Sequence, residues 1–271
     1  MRSIVIALSI VCLAAGLAAQ TDDDRERNVA VASVSVTPDS TISSENLHVI
    51  RDEIQSHTYG SYLPEISERA RYALQTQGHF RARVGDPKFT VLSESAGRKT
   101  IAVTLAVDQG EQYRLKEITL SKNTVFLSPQ LHALFPINNG DVFDVEKIRV
   151  GLEGIRKLYA SKGYINATPV PNTDADDASR LVSLDIELDE GGQYRFGGLV
   201  LEGVEPRPGA GHELLAAWKP QIGKVYDSTV VENFWKEHFI PLFPPRTPLD
   251  GAIQQIMNSE DHIVFFKVEF P

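Results

Sequence analysis

Seven histidines, at positions 48, 57, 79, 132, 212, 238 and 262, are the side chains best suited to acid–base or metal chemistry in these 271 residues. They stand singly, with no HExxH motif and no pair at i, i+4. Zinc hydrolysis on a helix needs two imidazoles one turn apart with a glutamate between them. A lone histidine is more often a surface residue or a satisfied core residue. "NTDADDAS" puts Asn172, Asp174 and Asp176 at the first, third and fifth positions of a calcium loop. Asp177 stands where that loop needs glycine, and Ser183 where it needs a bidentate glutamate, so the segment reads as a solvated hairpin loop. "GAG" at 209–211 follows Pro208 without a strand before it, which is neither a nucleophile elbow nor a phosphate loop. No catalytic, cofactor-binding or metal-ligating residue is assigned, and an enzyme is not expected.

The sole cysteine, Cys12, lies in "MRSIVIALSIVCLAAGLAAQ". Arg2, the apolar run Ile4–Leu13 and the small residues Leu17-Ala18-Ala19 have the layout of an export signal. The expectation is a signal peptide at 1–19, then a polar tail at 20–28. Ser9-Ile10-Val11 is not a lipid-attachment site, so the exported chain would carry no thiol and no disulfide. Export without cysteine points to a bacterial envelope. The formal charge of −9 argues against nucleic acid as a partner. Nothing after residue 20 is apolar over a length that crosses a bilayer as a helix.

The elements come from an internal repeat. "DQGEQYRLKEITL" starts at Asp108 and "DEGGQYRFGGLVL" at Asp189, 81 residues on. "GDVFD" at Gly140 and "GKVYD" at Gly223 lie 83 apart, and the glycines of "ALQTQGHF" and "YASKGY", Gly78 and Gly163, lie 85 apart. Each period opens with a short strand: Val31–Val36, Arg114–Leu120 or Arg195–Leu201. Two helical segments follow. In the second period Asp144 is the candidate N-cap, and Val145, Ile148, Leu152, Ile155 and Leu158 with Tyr159 form an apolar stripe at helical spacing. Gly78 and Gly163 are candidate structural caps, where a left-handed backbone ends a helix. Two strands close each period. Val182, Leu184, Ile186 and Leu188 alternate with Ser183, Asp185, Glu187 and Asp189, the pattern of a sheet with one dry and one wet face. The fold class is therefore α+β: three tandem β-α-α-β-β units, each a small three-stranded sheet with two helices on one face.

The residues from "GEQYRLKEITL" through "GDVFDVEKIRVGLEGIRKLYASKGYINATPVP" to "LVSLDIELDEGGQYRFGGLVLEG" resemble a polypeptide-transport-associated (POTRA) domain. Such units form the periplasmic part of outer-membrane barrel-assembly proteins and two-partner secretion transporters. The expected units are 29–110, 111–191 and 192–271, the third degenerate because "FWKEHFIPLFPPRTPLDGAIQ" breaks the helix pattern with prolines. The segments cannot supply a membrane β-barrel, so the resemblance implies a repeat protein acting alone or with a separate barrel protein. It further implies a periplasmic, non-enzymatic scaffold, free or bound peripherally to the outer membrane, with unfolded outer-membrane or secreted proteins or a barrel protein as partners. The alternative is a structural envelope or division protein using the fold as a spacer, tethered by an uncleaved N-terminal segment.

Binding by backbone is the mode this fold offers, because edge strands leave N–H and C=O groups unpaired. Pro169 and Pro171 should turn their missing N–H positions outward and blunt the edge of unit 2, or else end its strand early. Pro87 is expected inside the second strand of unit 1. The corresponding strand of unit 3, "GAIQQIM", holds no proline. Ala252, Ile253, Gln254, Gln255, Ile256 and Met257 are therefore the candidate partner-binding edge.

Overall fold

The computed structural model describes Ala7–Leu8 and residues 28–38, 42–60, 63–95, 97–244, 247–249 and 251–270. Apart from Ala7–Leu8, the expected signal peptide at 1–19, Cys12 and all of the polar tail but its last residue lie outside the described residues.

Three sheets follow one another along the chain, each with its own apolar core. The first unit comprises β1 (Val29–Thr37), α1 (Ser44–Gln55), β2 (Thr58–Tyr59), α2 (Glu65–Thr76), β3 (Arg83–Val84), β4 (Lys88–Ser95) and β5 (Arg98–Asp108). The second comprises β6 (Arg114–Ser121), α3 (Ser128–His132), α4 (Val145–Ala160), β7 (Thr168–Asp176) and β8 (Leu181–Asp189). The third comprises β9 (Arg195–Gly203), α5 (Ala210–Trp218), α6 (Ser228–Phe234), β10 (Ile253–Asn258) and β11 (Ile263–Phe270). In each unit the last strand is central: it runs parallel to the first and antiparallel to the strand before it.

Local sequence accounts for much of this. Asp144 caps α4 by accepting from the Glu146 and Lys147 amides, and Asp227 caps α6 by accepting from Thr229. Ile148, Ile155 and Tyr159 of α4 are buried against Val182, Leu184, Ile186 and Leu188 of β8. Unit 3 is packed by aromatic rings. Trp218 meets Phe196, Phe234, Trp235 and Phe266 at centroid distances of 4.7–5.9 Å, and its indole N–H donates to the Gly197 carbonyl. There the helix after Ser228 widens into a π turn over Trp235–Phe239 and closes as a 3₁₀ turn at Ile240–Leu242 that holds Pro241, beyond which Pro244 follows.

Three expectations need correction. Pro87 does not lie inside a strand: it sits between β3 and β4. Asn172, Asp174 and Asp176 are alternate residues of β7, not a hairpin loop. Only Asp176 serves the turn, accepting from the Ala178 and Ser179 amides and the Ser179 hydroxyl. Ala252 precedes β10 and is not part of it.

Candidate docking edges and joints

The three repeated sequence markers meet in space, and they meet at the joints between units. Gly78 has φ +83°, and a Cβ on it would lie 3.0 Å from the Tyr113 carbonyl oxygen and 2.5 Å from Val142 Cγ1. Gly163 has φ +85°, and its Cβ would lie 2.8 Å from the Tyr194 carbonyl oxygen and 2.8 Å from Val225 Cγ1. Their carbonyls accept from the Tyr113 and Tyr194 amides, each at 2.8 Å. Those tyrosines in turn accept from the Phe143 and Tyr226 amides of the "GDVFD" and "GKVYD" turns. Gln112 and Gln193 donate to the carbonyls of Gln77 and Lys162. A side chain at either glycine would collide with the next unit, so these residues shape a socket as well as a helix end. Phe80 enters the core of unit 2, 5.4 Å from Phe143, and Ile165 enters that of unit 3.

Each linker is also tied back to the unit it leaves. Asn46 donates to His79 Nε2 and to Gln109, and His79 Nδ1 lies 3.2 Å from the Gly110 carbonyl. His79 is thus a satisfied core histidine. Glu190 accepts from the Thr124 and Val125 amides and from Tyr159. Its carboxyl is held below the usual range, burial opposing and the hydrogen bonds from Thr124 and Tyr159 prevailing, while burial pushes Tyr159 up.

The open backbone lies along the outer strands. In unit 2, β7 pairs with β8 in unbroken register from Thr168 to Asp176, through both prolines. The strand does not end early. Residues without N–H fit an antiparallel ladder only where the amide faces away from the neighbour, so Pro169 and Pro171 point outward. Thr173 and Ala175 share that parity, and the Ala175 carbonyl is taken by Arg81 of unit 1 at 3.3 Å. This edge is closed.

The edges of units 1 and 3 are different. Gly85 donates to the Ala106 carbonyl, which sets the alternate residues Ala102 and Thr104 of β5 toward β4 and leaves the amides of Phe89 and Val91 outward. Phe89, Val91 and Leu92 are 52%, 47% and 57% exposed. β4 holds no proline, so the edge of unit 3 is not the only proline-free one. In unit 3, Glu269 donates to the Ala252 carbonyl, so Ala252, Gln254 and Ile256 turn toward β11 and Ile253, Gln255 and Met257 turn outward. The Gln255 side chain, however, is buried and accepts from the Tyr226 hydroxyl at 3.2 Å. Of this edge, the short strand Ala7–Leu8 meets only Ile256 and Gln255. The sequence missed the edge of unit 1 because it placed Pro87 one strand too late. Three exposed apolar residues in "KFTVLSES" were the available signal.

Among the described residues, no three His, Cys, Asp or Glu side chains converge as a metal site, and no helix is long and apolar enough to cross a membrane.

Residues 113–191 match the POTRA family, described as a surface antigen variable number repeat. A protein described as an outer membrane protein assembly factor from Treponema pallidum is 24% identical over 130 residues, 48% of this chain and 16% of its own length. Outer membrane protein assembly factor BamA of Buchnera aphidicola is 20% identical over 119 residues, 44% of this chain and 19% of its own length. The chain thus spans less than a fifth of the curated relatives it matches. Its fold is that of Haemophilus influenzae BamA POTRA3-5, with a TM-score of 0.63 at 20% identity over 89% of this chain and 96% of that one.

Proposed function

We propose that this chain, with a POTRA domain at its centre and the POTRA fold on either side, is a POTRA-repeat protein that serves as a periplasmic protein-binding scaffold in outer-membrane protein assembly or translocation. In this reading the chain divides into units 29–110, 111–191 and 192–271. It acts without catalysis, and its partners are unfolded outer-membrane or secreted proteins or a barrel protein. They add an extended strand to the edges of unit 1 at Phe89 and Val91 and of unit 3 at Ile253 and Met257. The observation that carries this reading is the contrast along one chain: the outward backbone groups of Phe89 and Val91 in unit 1, and of Ile253 and Met257 in unit 3 on either side of the Leu8–Gln255 pairing that a partner strand would displace, flank an edge shut by Pro169, Pro171 and Arg81.

The test uses proline on alternate residues and a fluorescent ten-residue peptide of alternating apolar and polar residues. Val91→Pro and Ile253→Pro remove outward N–H groups, whereas Thr90→Pro and Gln254→Pro break the ladder within a unit. The outward variants should keep the native melting profile and lose peptide binding, each in part and both together completely. A double outward variant that still binds at wild-type affinity rejects strand addition at these edges.

A further inference from the structure

The two joints share one socket but differ in what surrounds it. Across the first joint, α2 packs against α4, and the Tyr72 hydroxyl donates to Glu146, which is also held by Arg149. Arg149 first, and Tyr72 second, hold the Glu146 carboxyl down at about 2. On the hairpin side Arg81 Nε lies 2.8 Å from Asp177, and Tyr113 donates to the same carboxylate at 2.6 Å. Two clasps on carboxylates of unit 2, a hydrogen bond from Tyr72 to Glu146 and an ion pair from Arg81 to Asp177, therefore supplement the socket where the chain passes from unit 1 to unit 2.

At the second joint the same positions hold other residues. Six residues before the socket glycine, where unit 1 has Tyr72, unit 2 has Lys157; two residues after the helix cap, where unit 2 has Glu146, unit 3 has Thr229. Asn166 replaces Arg81, and Ser259 stands where unit 2 has Asp177, three residues before the positive-φ residue of the hairpin. Lys157 pairs with Glu153 of its own helix. What remains is the socket itself, Ile165 packed into the core of unit 3, the hydrogen bond from Asn166 to the Tyr194 hydroxyl, and the contact of the Tyr194 ring with His262. No ion pair crosses this joint among the described residues.

We infer that units 1 and 2 form one rigid arm and that unit 3 pivots on it at Gly163 and Tyr194. An exposed ion pair adds little by itself. Two clasps at separate points, one on α4 and one on the β7–β8 hairpin, however, restrain both the bending and the twisting that a lone socket permits. This rests on the reading of the two open edges as docking strips, and it gives them a purpose as a pair. The closed unit 2 keeps the edge of unit 1 at a fixed place, while the pivot varies the angle and distance to the edge of unit 3. A scaffold so built can hold two strands of one partner whose spacing changes.

Spin-label distance measurements on the full chain test the pivot directly, with Cys12→Ser as background. Labels go on Asp52→Cys, Lys147→Cys and Ala216→Cys, one exposed site per unit. The 52–147 distribution should be narrow and the 147–216 distribution about twice as broad or more. Tyr72→Phe with Asp177→Asn should broaden the first without moving the melting temperature of unit 3. Lys157→Tyr with Thr229→Glu should narrow the second. Equal widths in the unmodified chain, or a narrower second joint, overturn the inference. Neither result touches peptide binding at the edges, so the functional reading would stand or fall separately.

Discussion

Replacing Gly163 by alanine separates the socket from ordinary backbone strain when two other glycines serve as controls. Gly198 lacks positive φ and nothing lies within 4 Å of its would-be Cβ, so Gly198→Ala should cost nothing, or stabilise by about 0.5 kcal/mol through the unfolded chain. Gly223 has φ +83° but open space around it, so Gly223→Ala should cost only the left-handed strain, about 1–2 kcal/mol. Gly163 adds to that strain a 2.8 Å approach to the Tyr194 carbonyl, a backbone atom that cannot step aside alone. Overpacking of this kind typically costs ~1–3 kcal/mol, giving a total of about 2–5 kcal/mol. The chain has an escape, which is to undock unit 3 and give up the hydrogen bond from Tyr194 to Gly163. Two readouts are therefore needed. Urea unfolding followed by circular dichroism gives the total loss. Fluorescence reports unit 3 alone, because Trp218 and Trp235 are the chain's two tryptophans. The expected order of loss is Gly163→Ala, then Gly223→Ala, then Gly198→Ala, with proteolysis at the Gly191–Tyr194 linker in the first variant only. A Gly163→Ala loss no larger than that of Gly223→Ala would refute the socket.

Trp218→Ala should cost about 3–5 kcal/mol, since the ring is buried among four aromatic neighbours. It should unfold unit 3 first and leave a protected fragment of units 1 and 2 on limited proteolysis. Pro171→Ile with Arg81→Ala should reopen the edge of unit 2, with concentration-dependent β-aggregation seen by light scattering. The clasp at Glu146 should be fully present above the ordinary carboxylate value of 4.5 and lost as the pH falls toward about 2, because its folded-state carboxyl is depressed. The 52–147 distance distribution should accordingly stay narrow at pH 5 and broaden by pH 2; broadening already complete at pH 4.5 would contradict this.

The repeat was legible because its markers recur 81–85 residues apart, and the α+β class, the cap at Asp144 and the alternation of Val182, Leu184, Ile186 and Leu188 because each depends on neighbours within a few residues. Period-2 and period-3.6 patterns are local consequences of strand and helix geometry. Even the outward turn of Pro169 and Pro171 followed from covalent chemistry, since a residue with no N–H can occupy only alternate sites of a ladder. Three features depended on tertiary structure. That Gly78, Gln112, Tyr113 and Val142 form one socket could not be read from a period, because the repeat reports recurrence without saying which copies touch. That Gln255 faces Tyr226 was decided by the packing of unit 3 and not by strand alternation alone. The clasps at Glu146 and Asp177, and the Arg81 cap on the edge of unit 2, join residues 64–96 positions apart, or one helix face to another. Sequence fixes which side chains are present, but a clasp between units or an edge blocked by a neighbouring unit exists only where two units are set side by side.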